Sequence, residues 1–213
     1  HQRRGVHYYL AGAPVEQYEF IRSIRRDQLI FVPAITILLV LTTWAVYRSF
    51  ASMFLAMSIV FTTLIWTVGT ISLMGQQLNL VTSLLAPVIM IITVANSVHL
   101  INLFFDVRRH HPSVREAVRV TMSELGTPCF LSYFATLAGF VTLAVNPIPA
   151  IQSFGVFAAI GTLYAYVIEL LLTPILLPTL PYPGPGDTAT SHFFNRFIAG
   201  FLEKMEFRWK WLI

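Results

Sequence analysis

Two short stretches place proton-handling or hydrogen-bonding groups inside apolar runs. In "VIMIITVANSVHLINLFF" (residues 88–105) the interruptions are Thr93, Asn96, Ser97, His99 and Asn102; in "GTLYAYVIELLLTPIL" (161–176) the interruption is Glu169. Imidazole and carboxyl groups can pass protons along a chain, whereas amides and hydroxyls only orient and hydrogen-bond. On a helix, residues three apart differ by about 60° in direction, so Thr93, Asn96 and His99 share a face about 120° wide, with Ser97 beside Thr93. Asn102 turns further round, nearer the end of the run, where water can reach it. An ionised carboxylate near mid-membrane costs about 2.5–3.5 kcal/mol even on a lenient insertion scale, so Glu169 must face protein or water.

The elements that would position these groups follow from composition. The chain has 213 residues, is 56% hydrophobic and 11% charged, and has a mean hydropathy of +0.69. Soluble domains carry roughly 25% charged residues, so this is a membrane protein. Five stretches are long enough for a hydrocarbon core that takes about 20 helical residues to cross: Leu29–Tyr47, Met53–Met74, Leu80–Phe105, Pro128–Val145 and Ser153–Leu180. They must be helices, because backbone groups in lipid are satisfied within a segment and the alternation of a barrel strand is absent. The expected fold is an all-α membrane protein of five transmembrane helices with cytoplasmic amphipathic helices.

Charge sets the direction. The loops after the first and third spans carry Arg48, Arg108, Arg109, Arg115 and Arg119, while "GQQLN" and "NPIPAIQ" on the other side carry neither Lys nor Arg. The arginine-bearing loops are therefore cytoplasmic and the expected location is the inner (plasma) membrane. Arg22, Arg25 and Arg26 then fall on the outer side against this rule, which long translocated domains largely escape. Residues 1–27 accordingly read as the end of an outer domain and the approach to the membrane, residues 28–180 as the five-helix bundle, and residues 181–213 as a cytoplasmic linker and interfacial helix toward a further span. Within the bundle, "HPSVREAVRVTMSELG" has Pro112 and Ser113 as start signals and Gly126 as a stop, which predicts a short amphipathic helix over 112–126 along the cytoplasmic face. With His1 at its start and "FRWKWLI" at its end, the sequence is expected to be an internal piece of a longer protein.

Three stretches then resemble the resistance-nodulation-division (RND) superfamily, in its MMPL and Patched-like branch, whose half-bundle includes a sterol-sensing-domain-like five-helix unit. They are "LAGAPVEQYEFIRSIRRDQLIFVP", "LMGQQLNLVTSLLAPVIMIITVANSVHLINLF" and "GTPCFLSYFATLAGFVTLAVNPIPAIQSFGVFAAIGTLYAYVIELLLTPILLPTL". The resemblance implies helices two to six of one half of a transporter, facing a second half of the same protein or another protomer. It implies export of lipids or hydrophobic compounds driven by the proton gradient. Exporters of this family usually place an acid shortly before the His, in patterns like "ADSVHL"; here "ANSVHL" puts Asn96 at that position, and asparagine cannot bind and release a proton. The proton-coupling candidates are Asn96, His99 and Glu169, with Thr93, Ser97 and Asn102 as the rest of the polar stripe. Counted from the midpoints of the third and fifth spans, Asn96, His99 and Glu169 lie within about seven residues of mid-membrane, roughly 10 Å. Glu169 reaching the Asn96/His99 face would replace the missing acid. The plainer readings are that Asn96 and His99 join helices by hydrogen bonds and that Glu169 meets the cytoplasmic interface or a neighbouring hydroxyl.

The remaining features fit a packed bundle. Gly139, Gly155, Gly161, Ala135, Ala158 and Ala159 suit close helix contacts, and Pro87 and Pro174 are possible kinks. Cys129 reads as a buried inert thiol. No H-E-x-x-H, G-x-S-x-G, P-loop or Cys/His metal spacing occurs, so no enzyme, metal or cofactor is expected. A net charge of +4 spread over loops suits a membrane flank rather than nucleic acid. The expected partners are membrane lipids and a hydrophobic or lipid substrate. The alternative from another class is a sterol-sensing-like lipid-binding or regulatory module without coupled transport, and the Asn96 substitution favours it.

Overall fold

The computed structural model describes residues 12–75, 82–111 and 113–180. They form α1 (Ala13–Tyr47), α2 (Phe50–Leu73), α3 (Leu85–His110), α4 (Val114–Ala144) and α5 (Pro149–Leu176), with 3-10 turns at Thr82–Leu84 and Leu177–Thr179 and no strand among the described residues. Five segments, Arg22–Tyr47, Phe50–Leu73, Thr82–His110, Val114–Ala144 and Pro149–Thr179, are long and apolar enough to cross a membrane. The protein is an all-α, multi-pass membrane protein.

Local chemistry sets several helix ends. Ser49 caps α2, its hydroxyl accepting from the Ser52 N–H at 3.4 Å. Pro149 opens α5 at a position that needs no N–H. α1 closes on Arg48, whose φ of 47° is left-handed and whose N–H returns to the Trp44 carbonyl, so only Ser49 is needed before α2 begins. Thr43, Thr63, Thr67, Thr93, Thr121 and Thr162 each donate to the carbonyl four residues back at 2.7–2.8 Å, so these hydroxyls are satisfied within their own helix.

Two boundaries differ from the sequence expectation. The separate amphipathic helix over 112–126 does not form, because Val114–Ala144 is one helix of 31 residues that runs through Gly126 and Pro128. In water those residues would end a helix. Near lipid a broken turn leaves backbone groups without water, and proline is tolerated inside spanning helices. At 1.5 Å per residue this helix is about 46 Å long, so its first turns project beyond a 30 Å core. On the opposite side, α1 starts at Ala13 rather than near the first span at Leu29. The interfacial helix expected in 181–213 and residues 1–11 of the expected outer-domain root lie outside the described residues.

α2, α3 and α5 form the interior, while α1 packs on α2 and α3, and α4 lies along α5 with a smaller contact to α3. On the arginine-bearing side Leu55, Ile59, Leu100, Ile101, Phe104 and Ile168 form one core, and on the other side Ile71, Leu85, Ile89 and Phe157 form a second. Apolar side chains also cover the outside, for example Leu38, Leu41, Phe54, Ile65, Phe134 and Leu171. Lipid tails are as apolar as these residues, so helix association here rests on packing and interhelical hydrogen bonds rather than on transfer out of water.

Close packing is clearest at two glycines on α5. A Cβ at Gly161 would overlap Ile89 Cδ1 and sit 3.1 Å from the Thr67 side chain, so α5 approaches α2 and α3 only because no side chain is there. A Cβ at Gly155 would lie 2.5 Å from the Ala144 nitrogen and 2.7 Å from the Phe140 carbonyl oxygen, inside the α4–α5 hairpin. Gly139, also expected to pack, has open space at its Cβ position, and Ala135 is exposed. Tyrosines supply cross-helix hydrogen bonds: Tyr47 donates to the Val98 carbonyl at 2.8 Å, and Tyr164 pairs with Thr70 at 3.0 Å. Gln28 of α1 donates to the Ser83 carbonyl just before α3.

Candidate functional site

Glu169 is 3% exposed, on the face of α5 turned toward α3 and α4. Its Oε2 accepts a hydrogen bond of 2.6 Å from the Tyr133 hydroxyl of α4. Tyr133 is itself buried, and its ring is held against Tyr166 of α5 at a centroid distance of 5.6 Å; Phe130 packs on the other part of Tyr166 at 6.0 Å. The donor therefore has little freedom to leave the carboxyl. A 2.6 Å O–H to O contact lies at the short end of the range and is typical where a carboxylate is the acceptor.

α3 supplies the next groups. The Asn96 side chain lies alongside the Tyr133 hydroxyl and accepts from Ser132 Oγ at 3.5 Å, the outer limit of a hydrogen bond. Ser97, fully buried, lies beside the carboxyl, although neither its Oγ nor Glu169 Oε1 has a partner in full hydrogen-bonding geometry. The second carboxyl oxygen, Glu169 Oε1, is likewise buried with no protein hydrogen-bond partner. The polar groups thus run from the interior at Glu169, through Tyr133 and Asn96, to Ser132 on the outside of α4. Such an arrangement can hold a proton on the carboxyl and tie α3, α4 and α5 together by hydrogen bonds.

The structure divides the expected polar stripe. It brings Asn96 and Ser97 to Glu169, and it buries Thr93 on the same face with its hydroxyl committed to the Ile89 carbonyl at 2.7 Å. His99 and Asn102 are exposed and point away. The reason is rotational. Steps of three residues turn back about 60° each, so His99 is about 120° from Thr93, whereas Ser97 and Leu100 lie within about 40° of it. The buried face follows Thr93, Ser97, Leu100, Ile101 and Phe104, and His99 falls outside it.

Tyr133 was not singled out by sequence reasoning. Its signal was a lone phenol in "LSYFATLAGF", a group that needs a partner when buried. Aromatic residues are so frequent in this chain, with 17 Phe and 8 Tyr, that the signal does not stand out.

Beside Glu169 a narrow cleft runs between α3, α4 and α5, walled by Leu100, Met122, Leu125, Gly126, Cys129 and Leu170, with Tyr166 at its side. Its room is about 20 Å³, enough for one water and too little for a lipid head.

Comparison with known proteins agrees with this architecture. A protein of Methanocaldococcus jannaschii described as a membrane protein is 26% identical over 113 residues, which cover 53% of this chain and 29% of that relative. The chain therefore spans under a third of the relative it matches. The MMPL family matches residues 1–187, most of the chain and all of the bundle. With five apolar spans in the expected order and a family match over that length, the chain belongs to the MMPL family.

Proposed function

We propose that this chain is the membrane unit of a transporter that exports lipids or hydrophobic compounds across the plasma membrane, driven by the proton gradient, with Glu169 as the group that takes up and gives back the proton. The observation that carries the reading is the Tyr133–Glu169 hydrogen bond of 2.6 Å inside the bundle. A carboxyl so far from water is costly unless it is paired, and intramembrane acids of this kind mark ion pathways. Asn96, at the position where the resemblance expects an acid, touches the Tyr133 end of the same group, so a carboxyl on α5 can serve the region that α3 no longer serves. In this role the protein performs no covalent chemistry of its own.

The test is transport by the full-length protein in vesicles. Glu169→Gln keeps the shape and the acceptor for Tyr133 while removing the ionisable proton. The expected result is loss of the pH dependence of transport; wild-type pH dependence in that variant sinks the proposal. The second reading, a lipid-binding or regulatory module without coupled transport, is favoured by the amide at Asn96. It predicts lipid binding that is the same in wild type and Glu169→Gln, with no flux in either.

A further inference from the structure

The Tyr133 side of Glu169 accounts for only one carboxyl oxygen. Oε1 is buried, has no protein partner, and belongs to a residue that forms part of the wall of the cleft between α3, α4 and α5. A buried carboxyl oxygen without a donor is unfavourable, so the fold retains an acceptor there at a cost to stability. The other walls are apolar apart from Cys129 and Tyr166. A metal cation such as sodium would need several more oxygens than these walls offer. A lipid head would not fit in about 20 Å³. One water, or one hydronium ion, does fit a space of that size.

We propose that this cleft is the route by which a single water-sized hydrogen-bond donor, a water or hydronium, reaches Glu169 Oε1 from the arginine-bearing side of the bundle, and that Gly126 and Cys129 set its width. Met122, Leu125 and Gly126 lie on the part of α4 nearest the α3–α4 turn, so the cleft approaches the carboxyl from that end. The Tyr133, Asn96 and Ser132 groups approach it from another side. Oε2 is thus held by Tyr133, and Oε1 is left for the cleft. A hydronium at Oε1 transfers one proton to the carboxylate and leaves as water. The groups facing Glu169 are Asn96 and Ser97 from α3, Tyr133 and Cys129 from α4, and Tyr166 from α5 itself; α2, which also packs on α5, carries no ionisable side chain. No second carboxylate or cation competes for the proton at this position among the described residues.

Gly126 makes the cleft adjustable. A Cβ there would meet nothing within 4 Å, so a larger side chain at this wall position, as in Gly126→Leu, is accommodated without pushing the backbone aside. Cys129, expected from the sequence to be a buried inert thiol, is only partly buried, so it offers a plug that can be installed after folding. With methyl methanethiosulfonate its thiolate sulfur attacks the sulfenyl sulfur, the new S–S bond forms as the bond to the sulfonyl sulfur breaks, methanesulfinate leaves with that electron pair, and the thiol proton passes to water.

The inference rests on Glu169 being the group that exchanges the proton, and the experiment separates the two ideas. Full-length protein in lipid is given a pH jump, and protonation of Glu169 is followed by infrared difference spectroscopy as the carboxyl band that Glu169→Gln removes. The band is expected to appear at least tenfold more slowly in Gly126→Leu and in wild type carrying the methylthio group on Cys129, and within twofold of wild type in Gly126→Ala. A rate within twofold of wild type in both plugged forms overturns the cleft as the route and leaves the coupling role intact. A band that behaves as expected in a protein whose transport keeps its pH dependence in Glu169→Gln overturns the coupling role and leaves the cleft. Absence of any titrating band overturns both. Should Gly126→Leu fail to fold, the Cys129 adduct decides the question alone.

Discussion

Tyr133 and Glu169 meet across the α4–α5 interface, the phenol donating to Oε2 at 2.6 Å with both side chains buried. The pair joins two helices whose backbones are already in contact at Gly155. It sets the position of the one carboxyl in the bundle interior among the described residues.

Tyr133→Phe keeps the ring packing on Tyr166 and removes only the donor. Both Glu169 oxygens are then buried without a protein partner. Interhelical hydrogen bonds in membranes average about 0.6 kcal/mol, and an orphaned buried acceptor adds about 1–3 kcal/mol. A loss of about 1–3 kcal/mol is expected in unfolding measured in detergent–lipid mixtures. Stability equal to wild type would show that the phenol does not hold the carboxyl.

Asn96→Asp places a second carboxyl beside Tyr133, where Glu169 already sits. Two like charges this close do not ionise independently, so protons leave the pair in two steps. Transport plotted against pH is expected to gain a second inflection, absent from the double variant with Glu169→Gln. A single unchanged inflection would place Asn96 outside the electrostatic reach of Glu169.

Gly161→Val inserts atoms where Ile89 and Thr67 already stand. Overpacking of this kind costs about 1–3 kcal/mol, and expression of folded protein should fall accordingly. Gly139→Ala is the contrast. Its Cβ meets open space and alanine favours helix by up to about 1 kcal/mol, so thermal stability should be equal or higher.

Tyr47→Phe removes the hydrogen bond from the end of α1 to the Val98 carbonyl in α3. A cost of about 1 kcal/mol is expected. It should show as faster hydrogen exchange confined to α1, since α1 buries few side chains and has few other ties to the bundle.

Much of the bundle was legible in the sequence because the membrane imposes it. A segment that crosses hydrocarbon must be long, apolar and helical, so five spans and their order follow from counting residues. Asn96, Ser97 and Glu169 could be marked because polar groups stand out against such a background. The helix ends were less legible: Gly126 and Pro128 carry the stop signals of a soluble helix, and the chain runs through them where the surroundings exclude water.

Composition, spacing and motifs therefore carry the set of spanning helices, the family and the presence of polar groups within the apolar spans. The tertiary structure alone decided which of those groups meet. In a soluble protein the polar face of a helix marks its outside, but here both the lipid side and the core side are apolar, and periodicity cannot separate them. The rotation of α3 is set by packing around Ile101, Phe104 and Ile89 and by the glycines of α5 that let the helices close. That rotation turns Asn96 and Ser97 inward and His99 outward, and it gives Glu169 a tyrosine from α4 as its partner.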